Sequence, residues 1–331
     1  MRNRGYQNIS RKEQKNAVGS FSFQALLLPV RLLALSIVCS LLVSCRSSMP
    51  LPEERIEIPI RFLLTFDDGP SALEENNPTR SILKQLQDNP VQPGIKAVFF
   101  VQSRAWNGGG TPLGKEIMHE EYAAGHVLGF HTAAKEGHVG HLLMSPFELK
   151  QSLEYGINDI QLITGQRPLW LRPPYFSYSD TTADAYQDAG FRLILSDLSA
   201  NDGVINATSF RKRSHLANCL LELHYRLSAI RNLPNPIPVV VTFHDVNRFT
   251  AENMVEYLRI LIEEAQWAGL VTTDKPFYDK TEDLQNALTS WWQYNEALRQ
   301  NCNVSTCPPI GTYLPDRNPG KPAKKVVLIQ Q

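Results

Sequence analysis

Six short apolar runs recur along this chain, at residues 62–66, 97–101, 127–130, 169–172, 193–195 and 239–243. Amphipathic stretches with helical periodicity separate or follow them, at 79–88, 115–124, 146–163, 181–189, 210–228 and 251–268. Continuous apolar runs of this length read as strands buried on both faces, because alternating polar residues would mark a face left in water. Strand and helix alternating at this pitch predict a parallel sheet covered by helices, closed as a barrel or laid out as a doubly wound layer. No internal repeat interrupts the pattern.

The polar residues that follow these runs carry the chemistry. Phe62-Leu63-Leu64-Thr65-Phe66 stops in Asp67-Asp68-Gly69-Pro70, two adjacent carboxylates at a turn. Burying two carboxylates together without counter-charge is costly, so the pair suggests a metal ligand beside a general base at the mouth of a cleft. A solvated Asp-Asp-Gly turn is the plainer alternative if the motif stands alone. It is joined by Gly129-Phe130-His131-Thr132, His138, Leu171-Arg172-Pro173-Pro174-Tyr175, the segment from Asp197 to Asp202, and Val241-Thr242-Phe243-His244-Asp245. In parallel α/β folds the residues just after the strands build the active site.

This ordered set resembles the polysaccharide deacetylases of carbohydrate esterase family four, over roughly residues 58–275. The resemblance implies a distorted (β/α) barrel, a divalent cation with zinc first, and an acetylated polysaccharide substrate. It makes Asp67 the general base, Asp68 a metal ligand and His244 the catalytic acid. Arg172 would align Asp67 through a charge-assisted pair, and the backbone amide of Tyr175 would stabilise the oxyanion. Two motifs depart from the family pattern. The family's two histidine ligands usually sit four residues apart, but here Lys135 occupies the second position.

Pairing His131 with His138 restores the pattern with three extra residues. Seven residues on a continuous helix would set the rings roughly 10 Å apart, so this segment must loop back, and Gly137 makes that feasible. His138 with His141, at single-turn spacing, is the competing pair. In the fourth motif an aspartate should orient the acid histidine, and both Asp197 and Asp202 are offered, with Asp202 preferred. Gly203 stands where the family has an aromatic residue, and Phe243 is the candidate to replace it as a wall of the acetyl pocket.

The first 45 of the 331 residues read as a leader. Six basic residues precede or flank the run Leu32 to Val43, too short to span a bilayer comfortably, and it ends in Leu42-Val43-Ser44-Cys45. That ending resembles a bacterial lipobox, which implies lipidation at Cys45 and a membrane anchor in the cell envelope, facing the periplasm, at the outer membrane first. Loss of residues 1–45 removes six of 33 basic and one of 33 acidic residues, leaving 27 against 32 and a net charge of −5. A mildly acidic chain with no basic cluster is a poor nucleic-acid binder.

Residues 46–57 read as a tether, 58–275 as the catalytic domain, and 276–331 as a helix near 282–299 followed by a Pro- and Gly-rich tail. Cys302 and Cys307 close a short loop that an oxidising compartment would staple, leaving Cys219 as a buried thiol. Asn107-Gly108-Gly109-Gly110-Thr111 reads as a flexible loop. The expected activity is metal-dependent hydrolysis of N-acetyl groups on a polysaccharide, of poly-N-acetylglucosamine type first and peptidoglycan second. The rivals are a catalytically degenerate carbohydrate-binding lipoprotein and a metal amidohydrolase of small amides.

Overall fold

The computed structural model describes residues 51–301 except 53, 204–208 and 231. Cys45, Cys302 and Cys307 lie outside the described residues, as do the leader and most of the tail. The strands are β1 (Ile56–Asp67), β2 (Val98–Gln102), β3 (Val127–Thr132), β4 (Trp170–Leu171), β5 (Arg192–Leu193), β6 (Leu198–Ser199), β7 (Ile237–His244) and β8 (Leu270–Phe277). The α-helices are α1 (Pro78–Gln87), α2 (Pro112–Ala123), α3 (Pro146–Thr164), α4 (Asp180–Asp188), α5 (Ser209–Ser228), α6 (Arg248–Trp267) and α7 (Thr281–Asn301). Among the described residues no helix is long and apolar enough to cross a membrane.

All strand pairs are parallel, in the order β5-β4-β3-β2-β1-β7-β6, with β8 also paired to β1. β1 organises the sheet because it is twelve residues long. Its residues 60–67 pair with β7, while β8 and β2 take its lower and upper parts, at 56–62 and 65–67. The two outermost strands, β5 and β6, are joined by residues 194–197 alone. Arg172 reaches this joint, donating from Nε to the Ile194 carbonyl at 3.2 Å and from Nη2 to that of Leu195 at 3.1 Å. The result is a distorted barrel with every strand ending toward the same side.

The helices start where that side needs polar turns. Asn77, Thr111 and Ser145 each accept a first-turn backbone N–H, and Pro78, Pro112 and Pro146 follow them with a backbone already set for helix. Ser145 and Glu148 form a reciprocal capping box. Between sheet and helices lies an aromatic layer. Phe66 stacks on Phe99 at 5.0 Å and on Phe243 at 5.7 Å, and Phe243 meets Tyr257 of α6 edge-on at 5.1 Å. Each such ring, fully buried, contributes roughly 2–3 kcal/mol of transfer free energy.

Two strands are absent from the sequence reading. β6 is only two residues long. β8 carries Asp274, Lys275 and Pro276, and its middle is half-exposed, so it lacks the apolar run that marks the others. The boundary expected at 275 falls inside β8, and α7 packs onto the barrel through buried Leu284, Leu288 and Trp291. Residues 107–111 are a packed turn instead of a flexible loop. A Cβ at Gly110 would come within 2.4 Å of the Arg104 carbonyl oxygen, so glycine is required by close approach of backbone. Cys219 is a buried thiol, as expected.

Candidate metal and acid–base centre

The centre is assembled from strand ends, and its floor follows from register. Asp67 lies directly opposite His244 across the β1–β7 pair, as Thr65 lies opposite Thr242. Neighbouring strands run about 4.8 Å apart and side chains alternate faces, so these four residues point into the barrel while Phe66 and Phe243 point to the helices. Thr65 and Thr242 hydroxyls are 3.3 Å apart, and Thr242 donates to Ser196 at 2.8 Å. Onto this floor comes the fully buried guanidinium of Arg172, whose Nη1 donates to Asp67 Oδ1 at 2.8 Å and to the Thr65 hydroxyl at 2.6 Å. A charge-assisted pair of this kind gives a buried carboxylate a partner and a fixed orientation.

Asp68 follows with φ at 73°, which turns its carboxylate away from the strand. His131 Nε2 is 3.3 Å from Asp68 Oδ1, and His138 Nδ1 is 3.5 Å from Oδ2. One ligand atom from each of Asp68, His131 and His138 lies within 4.8 Å of the others. The His131 Nδ1 lies 2.6 Å from the Arg172 carbonyl, which can only accept, so Nδ1 donates there and Nε2 is the ring nitrogen turned toward the triad. Nε2 of His131, the nitrogen nearest Asp68, is buried and without a hydrogen-bond partner. An orphaned buried imidazole nitrogen facing a carboxylate fits a borderline divalent cation, and one carboxylate with two imidazoles leaves coordination positions open.

The electrostatics agree with that fit. Burial would raise the Asp68 carboxyl, but the neighbouring His131, then His138 and His244, hold it well below the usual carboxylate range. Burial lowers His138, as does the neighbouring His131, against the pull of Asp68, which favours the neutral ring that a metal needs. His141 is not part of the triad. It is fully buried, bonds the Tyr186 hydroxyl through Nδ1 at 2.8 Å and stacks on Phe130 at 6.2 Å. Burial drops its pKa to about 3, so it is a neutral core histidine.

His244 sits across from Asp68, its Nε2 3.9 Å from Oδ2. Its other ring nitrogen is 2.7 Å from Asp202 Oδ1, and its backbone N–H donates to Asp202 Oδ2 at 2.8 Å. Thr250 donates to the same Oδ2 at 2.5 Å, and Asn247 holds the Asp202 carbonyl at 2.6 Å. Burial would lower the His244 pKa, yet Asp202, then Asp67 and Asp68, push it up to about 10, so the ring carries a proton. Asp197 has a different task. It accepts from the backbone of Val240 at 2.8 Å and from the Trp291 indole at 3.1 Å, tying β7 to α7.

Of the residues expected at the site, Asp67, Asp68, His131, His138, Arg172, Asp202 and His244 come together. Tyr175 lies at the rim, 57% exposed, its ring parallel to His138 at 4.1 Å. Phe243 is a correction: it is fully buried in the layer beneath α6, because the alternation that turns His244 inward turns its neighbour outward. Gln102 was missed. It donates to Asp68 Oδ1 at 2.8 Å, bracing the carboxylate from the end of β2. The signal was a polar residue terminating Phe99-Phe100-Val101, the same signature that singled out Asp67.

This chain is similar to known proteins over part of its length. Residues 59–194 match the family model described as polysaccharide deacetylase. A chitin deacetylase from Arthroderma benhamiae is 30% identical over 141 residues, covering 42% of this chain and 34% of that protein. A chitin deacetylase from Pestalotiopsis sp. is 25% identical over 174 residues, covering 49% and 54%. The chain thus spans about a third to a half of these curated relatives. Among solved structures, the chitin deacetylase from Colletotrichum lindemuthianum is 21% identical, with a TM-score of 0.49 over 68% of this chain and 90% of that one.

Proposed function

We propose, for a chain that carries a polysaccharide deacetylase domain at residues 59–194, that it is a hydrolase removing N-acetyl groups from a polysaccharide. The observation that carries the reading is the convergence on one carboxylate. Asp68 meets both ligand histidines, with His244 Nε2 3.9 Å from its far oxygen and the Arg172-bound Asp67 adjacent in sequence. A pure sugar-binding module has no use for a base and an acid held side by side next to a ligand triad.

Asp68, His131 and His138 would hold the divalent cation, zinc first by donor type, which when bound polarises the acetyl carbonyl and makes water more acidic. Asp67, held in place by Arg172 at 2.8 Å, accepts the proton of the attacking water. His244, charged through Asp202, donates a proton to the departing amine nitrogen. An imidazolium can do this near neutrality, where a carboxylic acid would already have lost its proton. The backbone amide of Tyr175, fixed behind Pro173 and Pro174, is the donor for the developing oxyanion.

The preferred substrate is a polysaccharide of poly-N-acetylglucosamine type, with peptidoglycan second. The names of the two curated relatives support an N-acetylated polysaccharide as the class. We place the protein in the bacterial cell envelope, anchored through Cys45 and facing the periplasm, because basic residues, a short apolar run and Leu42-Val43-Ser44-Cys45 follow one another. The test is acetate release from N-acetylglucosamine oligomers and from peptidoglycan by the full chain in detergent, stripped of metal and then supplied with zinc. Zinc-dependent release from the oligomers supports the proposal. Tight sugar binding without release under any divalent cation would sink it in favour of a binding lipoprotein.

A further inference from the structure

The two ligand histidines are secured unequally. His131 sits within β3, is nearly fully buried, and has its far nitrogen fixed by the Arg172 carbonyl at 2.6 Å. His138 has no such arrangement. It lies past the end of β3 on the lengthened segment, its side chain is 32% exposed, and its Nε2 has no hydrogen-bond partner. The segment loops back through Gly137, at φ 89°, and is tied at its base where the Trp106 N–H donates to the Lys135 carbonyl at 3.0 Å. These bonds set the path of the backbone but leave the imidazole free to turn about its own side-chain torsions.

Tyr175 occupies the place where a constraint is needed. Its ring lies 4.1 Å from the His138 ring at an interplanar angle of 7°, and its hydroxyl donates to the His138 carbonyl at 3.0 Å. The same ring edge lies within contact of where a Cβ at Gly140 would sit, so it covers the segment on both sides of Val139. Tyr175 and Phe176 both have left-handed backbone, at φ 60° and 55°, behind the rigid pair Pro173-Pro174. A left-handed conformation at two consecutive non-glycine residues is unfavourable and persists only where surrounding structure imposes it, which points to function.

We propose that Tyr175 is the positioning residue for His138, clamping ring and backbone of the lengthened segment so that its imidazole faces Asp68 and His131. This rests on the metal-centre reading above, yet it concerns a side chain whose expected part there was confined to its backbone amide. The stack takes over the orienting role that a hydrogen bond to the far nitrogen plays for His131, and partners of that kind typically govern metal affinity by 10–100-fold.

The test is zinc affinity of the full chain in detergent after metal stripping, with the visible spectrum of the cobalt-loaded protein as a second readout of ligand geometry. Tyr175→Leu is expected to weaken zinc by about 10–100-fold and to shift the cobalt bands. Tyr175→Phe keeps the stack and loses only the hydroxyl, so its loss is expected to stay below about tenfold. In a His138→Ala background, Tyr175→Leu should cost nothing more, because the residue it positions is gone. Tyr175 is exposed enough that folding of the variants is expected, and the metal-free melting temperature checks it. Wild-type zinc affinity and an unchanged cobalt spectrum in Tyr175→Leu overturn the proposal, as does an equal penalty in the His138→Ala background. Should Tyr175→Leu not fold, the same comparison is made with Tyr175→Met, which also removes the stacking ring, and wild-type zinc affinity there would again overturn the proposal. A wild-type chain that binds zinc but releases no acetate defeats only the functional reading. One that binds no divalent metal defeats both.

Discussion

The floor of the centre and its rim are built by opposite means. On the floor, strand register does the positioning: Asp67 is opposite His244, Thr65 opposite Thr242, and Arg172 is anchored to four oxygens from Thr65, Asp67, Ile194 and Leu195. Thr65, Asp67, Arg172 and Thr242 are buried, His244 is half-buried, and each is hydrogen-bonded. On the rim, His138 and Tyr175 are fixed by ring contact on loops, with left-handed backbone at Asp68, Gly137 and Tyr175. The difference separates two kinds of tolerance. A change on the floor disturbs the barrel itself, whereas a change on the rim alters the ligand set and leaves the barrel standing. The acid and base are therefore expected to be invariant in geometry when the loops above them change.

The sharpest way to break this contrast is Asp67→Asn. The amide fills the same space beside Arg172 but accepts no proton, so kcat is expected to fall by about 10²–10⁴ while zinc affinity holds. Matched losses in zinc binding would mean that Asp67 belongs to the ligand set and that floor and rim are not separate. Next in size is Arg172→Met, which leaves the Asp67 carboxylate buried and unpaired. Removing one partner of a buried ion pair costs about 3–5 kcal/mol, so chemical denaturation should register a loss of that order. A loss under about 1 kcal/mol would show the pair to be better solvated than its burial indicates.

The acid provides a third, pH-dependent comparison. Burial opposes protonation of His244, but Asp202 and the nearer carboxylates raise it from 6.5 to about 10. A group whose folded pKa lies above its unfolded value adds stability that is fully present below about 6.5 and fades as pH rises through about 10. Metal-free protein is thus expected to melt lower as pH rises from 6.5 to 10, and His244→Gln should flatten that slope. An identical slope in both proteins would place the proton elsewhere.

Much of the floor was legible because register is a sequence property. Apolar runs mark buried strands, and Asp67, Arg172 and His244 stood out as the polar residues at the ends of such runs. Gln102 obeys the same rule and was passed over because an amide draws less notice than a carboxylate. The rim was less legible. The pairing of His131 with His138 depends on how seven residues fold back, and neither spacing nor composition encodes the ring-on-ring contact with Tyr175. Choosing between Asp197 and Asp202 likewise needed three dimensions, since both are buried aspartates near β7 and only the partners differ: Val240 and Trp291 for one, His244 and Thr250 for the other. Strand β8 was hidden by its charged middle, which lies half-exposed and so carries no apolar run.

Phe243 tests the parity rule with the smallest effect. It was expected at the pocket because it adjoins His244, yet on β7 adjacency in sequence means opposite faces. Its ring lies against Phe66 and Tyr257, on the helix side. Phe243→Leu removes part of that ring without adding a polar group, so it should cost about 1 kcal/mol in stability. Because the substitution is screened from the centre by the sheet, KM and kcat for an acetylated oligosaccharide are expected to stay within about twofold of wild type, an energy change small beside 1.4 kcal/mol per tenfold. A selective rise in KM with unchanged stability would put Phe243 back at the pocket wall and break the alternation on which the description of the floor depends.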